Sequence, residues 1–249
     1  LAGCTSFLGS LTINNDQNNI SNLDSVVNLQ SVEEDLHLTN FHTSPIDFPF
    51  YNLGSTYKLT IDYSNIDKLL FPSLGGVSSS LTIRQCTLDS LNFEGMGGMG
   101  GSVNNGGIFI ENNGEHNGYT NNFSLHTFNN LGNIGNACSI NINSNFSSGY
   151  GLTTLGGFSN LTNFGGDLEV VANGALTSCC QLINIAAVVN SSGSTTISNN
   201  GTNCNSLLQA SLACGSSFCG TTGYTTVVTT QAEVDALAGC TAFLGSLTI

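Results

Sequence analysis

The apolar residues of this chain recur in one frame. Along Leu152, Leu155, Phe158, Leu161, Phe164, Leu168 and Val170 the steps are 3, 3, 3, 3, 4 and 2. Ile20, Leu23, Val26, Leu29, Val32, Leu36 and Leu38 repeat those steps. Leu1, Cys4, Phe7, Leu11 and Ile13 fit the end of the frame, as do Val234, Leu237, Cys240, Phe243, Leu247 and Ile249. Leu125, Phe128, Leu131, Ile134, Cys138 and Ile140 fit it with one cysteine in a strand position. The closing 4, 2 is the alternation of a β-strand, whose successive side chains point to opposite faces. It predicts eight strands: SLTI (10–13), DLHL (35–38), KLTI (58–61), SLTI (80–83), GIFI (107–110), SINI (139–142), DLEV (167–170) and TTIS (195–198). Their last apolar residues are 25, 23, 22, 27, 32, 28 and 27 apart, a spacing of the leucine-rich-repeat kind. The steps of three before each strand suit an extended or 3₁₀-like return path. An α-helix would alternate threes and fours and is opposed by this much Gly and Asn. Gly-Gly, Asn-Asn and Asn-Gly pairs mark the corners.

The fold these elements predict is all-β: a right-handed parallel β-solenoid of about eight coils with short helical caps. Adjacent strands would lie about 4.8 Å apart, for a rise of roughly 38 Å. One coil cannot bury its own apolar face, so stability becomes a sum over stacked neighbours. The stretches GMGGMGG (95–101) and ENNGEHNGYTNN (111–122) read as surface loops. After Ile197 the frame lapses. NSLLQASLAC (205–214) reads as a short helix with Asn205 or Asn203 near its N-cap. CGSSFCGTTG (214–223) reads as a linker, and TTQAEVDALAG as a second helix starting at Thr230 or Gln231. Little helix is expected outside 203–240.

A longer period overlies the short one. LAGCTSFLGSLTI at Leu1–Ile13 returns as LAGCTAFLGSLTI at Leu237–Ile249, with only Ser6 changed, to Ala242. Duplications of this kind signal repeat architectures. The expected organisation is a solenoid over 1–198, a C-terminal cap and Cys/Gly-rich linker over 199–230, and over 231–249 the N-terminal cap and first strand of the next tandem unit. A secretion signal is expected upstream.

The repeated frame resembles the receptor L-domain family of leucine-rich solenoids over most of 1–198. The tail STTISNNGTNCNSLLQASLAC and the joint TTQAEVDALAGCTAFLGSLTI resemble repeat units of very large Bacteroidetes surface proteins, the group that includes gliding adhesins. The resemblance implies export by the type IX route, an outer-membrane location, and an adhesive or filament-forming role. It supplies a scaffold, and no functional residue transfers with it. The irregular coils at 48–61 and 93–142 are where ligand loops would sit.

Composition narrows the partners. Three basic residues stand against sixteen acids, a net charge of −13. That opposes nucleic acid and anionic membrane, which need clustered Lys and Arg. No apolar run is long enough for a membrane helix. The expected partners are neighbouring tandem units, identical chains bundled side by side, and glycans or proteins of other surfaces. The expected location is extracellular, at the cell surface.

Nine cysteines are present, and Cys240 is the duplicate of Cys4, leaving eight per unit. No CxxC pair or zinc spacing occurs, so disulfides in an oxidising compartment are expected. Cys204 falls about one coil after Cys179 and Cys180, which makes a bridge to one of the two natural. Cys219 with Cys240 would staple the linker to the next cap.

Candidate chemistry is sparse. Glu115 and His116, beside Glu111, form the best metal candidate, but the stretch reads as a solvated insertion. Glu33, Glu34 and Asp35 read as a solvated corner. Asp167 and Glu169 should face outward as a carboxylate pair, the minimum for glycoside hydrolysis. No convergent set of titratable groups accompanies them. GMGGMGGS lacks the Lys of a phosphate loop. Thr12, Thr60, Thr82 and Thr195 form a broken outward row. Asn122, Asn145 and Asn160 open sequons, and Asp24-Ser25-Val26 and Asp89-Ser90-Leu91 resemble O-glycosylation sites. The chain is therefore expected to have no catalytic, metal or cofactor site.

Overall fold

The computed structural model describes residues 3–42, 46–100, 106–116, 119–125, 128–135, 138–147, 149–189 and 193–249. The protein is mostly β and is built on a 13-stranded sheet. Its main strands are β1 (Leu11–Asn14), β2 (Ser31–Thr39), β3 (Ser55–Asp62), β4 (Ser80–Arg84), β5 (Gly106–Glu111), β6 (Cys138–Asn143), β7 (Leu168–Val171) and β8 (Thr195–Ser198). Each contains or overlaps one strand predicted from the alternation. Each pairs in parallel with the next in chain order. The register aligns Ile13, Leu38, Ile61, Ile83, Ile110, Ile142, Val170 and Ile197 in one buried column. Each passage from one main strand to the next is one rung.

The steps of three build the opposite wall. Phe50, Phe71, Phe93, Phe128 and Phe158 stack one per rung, with ring centroids 5.0, 5.4, 5.5 and 5.3 Å apart and planes within 19° of parallel. Stacked rings add about 0.5–1.5 kcal/mol per pair beyond the area they bury. Short parallel strands at Ile46–Pro49, Asn65–Leu70 and Thr87–Asn92 form a second sheet.

The corner after each main strand explains the Asn content. Two residues past the buried column, Asn40, Tyr63, Gln85, Asn112, Ser144, Ala172 and Asn199 all take positive φ, between 49° and 66°. That conformation costs a non-glycine residue roughly 1–2 kcal/mol, least for Asn. It turns the N–H of residues 40, 63, 85, 112, 144 and 172 onto a carbonyl of the following rung. The next residue then points inward, and four rungs place Asn there. Asn113, Asn145 and Asn173 donate from Nδ2 to the carbonyls of Ile83, Ile110 and Ile142. Their Nδ2 and backbone N–H also donate to Oδ1 of Asn145, Asn173 and Asn200 respectively. A buried amide is tolerated because both ends are satisfied. Ser64 and Cys86 hold the same position in earlier rungs. Cys86 donates its thiol toward the carbonyls of Arg84 and Ile61.

Several expectations need correction. Residues 95–100 are not a surface loop: Met96 and Met99 are buried, and Gly98–Met99 is a strand of the large sheet. Phe93, Met96 and Met99 continue the steps of three, and Gly95 lets the chain press against the Pro72 carbonyl where a Cβ would collide. Helix also forms outside 203–240, as α1 (Gln181–Val188). Its Leu182, Ile185 and Ala186 are buried, as is Val189 just past its end, and the four follow a helical 3, 1, 3 spacing with no Gly between them. The N-cap of α2 (Leu207–Ala213) is Ser206, next to Asn205, its hydroxyl accepting from the Gln209 N–H. Asn205 instead accepts from the Asn200 N–H and continues the ladder. Thr195 lies on the Leu168 rung position, so the outward residue of β8 is Thr196.

Beyond α2 the chain forms β9 (Gly220–Val227), α3 (Gln231–Ala236) and β10 (Leu244–Thr248). Thr230 caps α3, and Glu233 returns the bond in a capping box. β9 pairs with β10 in parallel as a separate two-stranded sheet. β9 falls on the stretch read as linker. The strands of the two copies, Ser6–Phe7 with β1 in the first and β10 in the second, therefore lie in different sheets.

Candidate functional site

The outward face of the large sheet carries one column of middle residues: Thr12, His37, Thr60, Thr82, Phe109, Asn141, Glu169 and Thr196. A charge cluster on this face spans three rungs. His37 Nε2 and Arg84 Nη2 lie 3.0 and 3.1 Å from the two carboxylate oxygens of Asp62. Burial alone would raise the Asp62 pKa. Hydrogen bonds from Thr39, His37 and Arg84 outweigh it and hold the group below the usual carboxylate range. Asp62 is thus consumed in tying rungs together.

Asp167 is likewise engaged. Its Oδ1 accepts from both N–H and hydroxyl of Ser194, each at 2.7 Å, and these bonds lower its pKa. Glu169 stands two residues along β7, half-buried on the outward face. The carboxylates at 167 and 169 do face outward, but one of them is a rung-to-rung clip. Glu115–His116 forms a strand paired antiparallel with Tyr119–Thr120, and the His116 side chain lies outside the described set. Among the described residues no group of three or more His, Cys, Asp or Glu could hold a metal. Asn145 of the second sequon is buried in the ladder, closed to a glycan. Asn122 and Asn160 hydrogen-bond to neighbouring rungs through their side chains. Ser25 is exposed and Ser90 half-buried.

The end of the molecule beyond β8 is where sequence-singled residues converge. Cys179 bonds Cys204, Cys180 bonds Cys214, and Cys219 bonds Cys240. The first two bridges fix α1 and α2 onto the last rung. The Cys180–Cys214 pairing had no spacing signal, because it depends on α1 and α2 lying side by side. The third holds the duplicated segment against β9. There Leu244 N–H donates to the Cys219 carbonyl, and Val228 N–H donates to the Thr248 carbonyl, both at 2.9 Å. Leu244 lies in a cleft with Ile183, Ala187, Val189 and Phe218. Three disulfides fit an oxidising compartment.

The remaining cysteines differ. Cys86 and Cys138 are buried, and burial pushes the Cys86 thiol up to about 12 and raises that of Cys138. Such thiols are unreactive packing residues. Cys4, the counterpart of Cys240, is exposed and unbridged. No helix among the described residues is long and apolar enough to cross a membrane. No family model, curated protein or solved structure matches the chain.

Proposed function

We propose that the chain is a structural and adhesive repeat module of a long extracellular surface filament. In this reading residues 1–198 are a right-handed β-solenoid, 199–230 its C-terminal cap and linker, and 231–249 the start of the next tandem unit. The observation that carries it is the duplicated segment at Leu237–Ile249, which the chain's own β9 and the Cys219–Cys240 bridge hold as a strand. Leu244, Leu247 and Ile249 are 57%, 40% and 84% exposed there. Such an outward apolar alternation is a surface that a further strand of the same frame would cover. The stacked amides and rings support a shaft, because every rung is stabilised by its neighbours. With 8% charged residues the exterior is mostly uncharged polar surface, which offers hydrogen bonds for lateral packing of identical shafts against the repulsion of the −13 net charge. Surface glycans or proteins of other cells are the proposed targets, in attachment, gliding or prey capture.

The alternative is a stand-alone domain that binds a carbohydrate or protein. Exposed Tyr51, Tyr57 and Tyr63 are the observation that favours it. Electron microscopy of the native cell surface separates the two. Periodic filaments that vanish, together with adhesion, when the array is deleted are the expected result. A discrete monomer binding one small ligand, from a gene with no flanking copies, would overturn it.

A further inference from the structure

We propose that the outer edge of the Gly3–Asn14 segment is a docking edge for residues 219–228 of a second copy of this chain. Cys4 would form a disulfide with Cys219 of that copy. This deepens the tandem-array reading and rests on it.

The molecule displays the proposed contact on its own duplicate. Cys240, Phe243, Leu244, Leu247 and Thr248 correspond to Cys4, Phe7, Leu8, Leu11 and Thr12. Cys240 is bridged to Cys219, with Cα atoms 5.5 Å apart. Its counterpart Cys4 is exposed with no bridge. Leu8 is 80% exposed, against 57% for Leu244, which lines the cleft against α1 and Phe218. Gly220 takes a φ of +78°, and a Cβ there would collide with the Leu244 carbonyl and the Phe243 ring. The 219–228 strand is thus shaped to this thirteen-residue sequence.

The segment has a second edge to give. Toward the next rung, the first copy uses the Thr5 and Gly9 carbonyls, which accept from Gln30, Ser31 and Glu34, and the Asn15 N–H, which donates to Thr39. Toward β9, the duplicate uses the Leu244 N–H and Thr248 carbonyl, the counterparts of Leu8 and Thr12. The two sets share no atom. Strand alternation from Asn15 also turns the Thr12 peptide away from β2. One copy of the segment can therefore hold β2 on one side and a 219–228 strand on the other. Among the described residues, β1 pairs in the large sheet with β2 alone, and so does the short strand Ser6–Phe7. An unpaired edge of this kind is a template for another strand.

Bridge formation is a two-electron oxidation. The Cys4 and Cys219 thiols lose two protons and two electrons, and a disulfide oxidant such as oxidised glutathione takes them up as two thiols.

The test is a two-copy chain in which residues 1–236 are followed by the whole of 1–249, refolded in glutathione buffer and mapped without reduction. Ser6 against Ala242 gives the Cys4 and Cys240 peptides different masses. The bridge from Cys219 of the second copy to Cys240 is the internal standard for sufficient oxidation. With that standard formed, the expected result is Cys219 of the first copy bonded to Cys4 of the second. Amides at Leu8–Thr12 should exchange at least tenfold more slowly in the second copy than in the first. Gly220→Val in the first copy should remove that difference while the standard bridge still forms. A free Cys4 in the second copy, a Cys4–Cys4 link between chains, or equal exchange in both copies would overturn the proposal. Failure here leaves filament formation on cells to be judged separately, since microscopy reads the array whatever joins its units.

Discussion

The same thirteen residues occur twice in this molecule and meet two fates. In the first copy Leu11 and Ile13 are each 8% exposed, roofing the stacked core. In the second, Leu247 and Ile249 are 40% and 84% exposed. Both copies are strands, and both pair in parallel. The alternation therefore encodes the strand, and the neighbours decide the burial. The first copy is held by a continuous hydrophobic stack. The second is held by one strand, one short helix and one disulfide.

The largest expected effect tests what holds the first copy. Asn145→Ala removes the acceptor for two Asn113 donors and the donor to the Ile110 carbonyl. Leaving buried polar groups unmet should cost about 3–5 kcal/mol in all. Thermal unfolding of the large sheet should shift down sharply, while the Cys219–Cys240 bridge and pairing of β10 persist below that transition. A smaller contrast comes from the two leucines at equivalent positions. Leu11→Ala should cost about 2–5 kcal/mol, and Leu247→Ala less than about 1 kcal/mol. Equal losses in denaturant titrations would mean that the copies are equally buried.

Acid gives the smallest effect and acts on the second copy. Glu233 is held below the usual carboxylate range, first by the Thr229 N–H and then by the Thr229 hydroxyl and Thr230, despite partial desolvation. A depressed folded pKa means its contribution is complete above the unfolded value and is lost as pH falls through the folded one. Amides of α3 and β10 should keep their protection from neutral pH down to the ordinary Glu range, then loosen. Glu233→Gln should show the loosening at neutral pH and little further change on acidification.

Much of this architecture was legible because the frame is periodic. The eight strand positions follow from the 4, 2 steps, and the Phe column from the steps of three. Met96 and Met99 were equally legible in principle, since they keep the same steps, but the glycines around them suggested a loop. The Asn ladder was less so. Asn is common at exposed turns as well as in ladders, and only the positive φ of the preceding residue turns it inward. β9 was hidden because GTTGYTTV has few apolar residues and pairs with a strand met only later in the chain. Cys180–Cys214 needed two helices to be brought together. The candidate site was legible as a duplication, but its two distinct edges emerge only from which carbonyls and N–H groups are used.

The most direct measurement compares amide exchange in Leu11–Asn14 and Leu244–Thr248, in the native chain and in Cys219→Ser/Cys240→Ser. The native chain should protect the first segment to the level of global unfolding and the second by less. The double variant should strip most protection from the second and leave the first unchanged, since the bridge closes a loop whose loss costs about 2–4 kcal/mol locally. Equal protection of both segments, or loss at both on removing the bridge, would contradict the account.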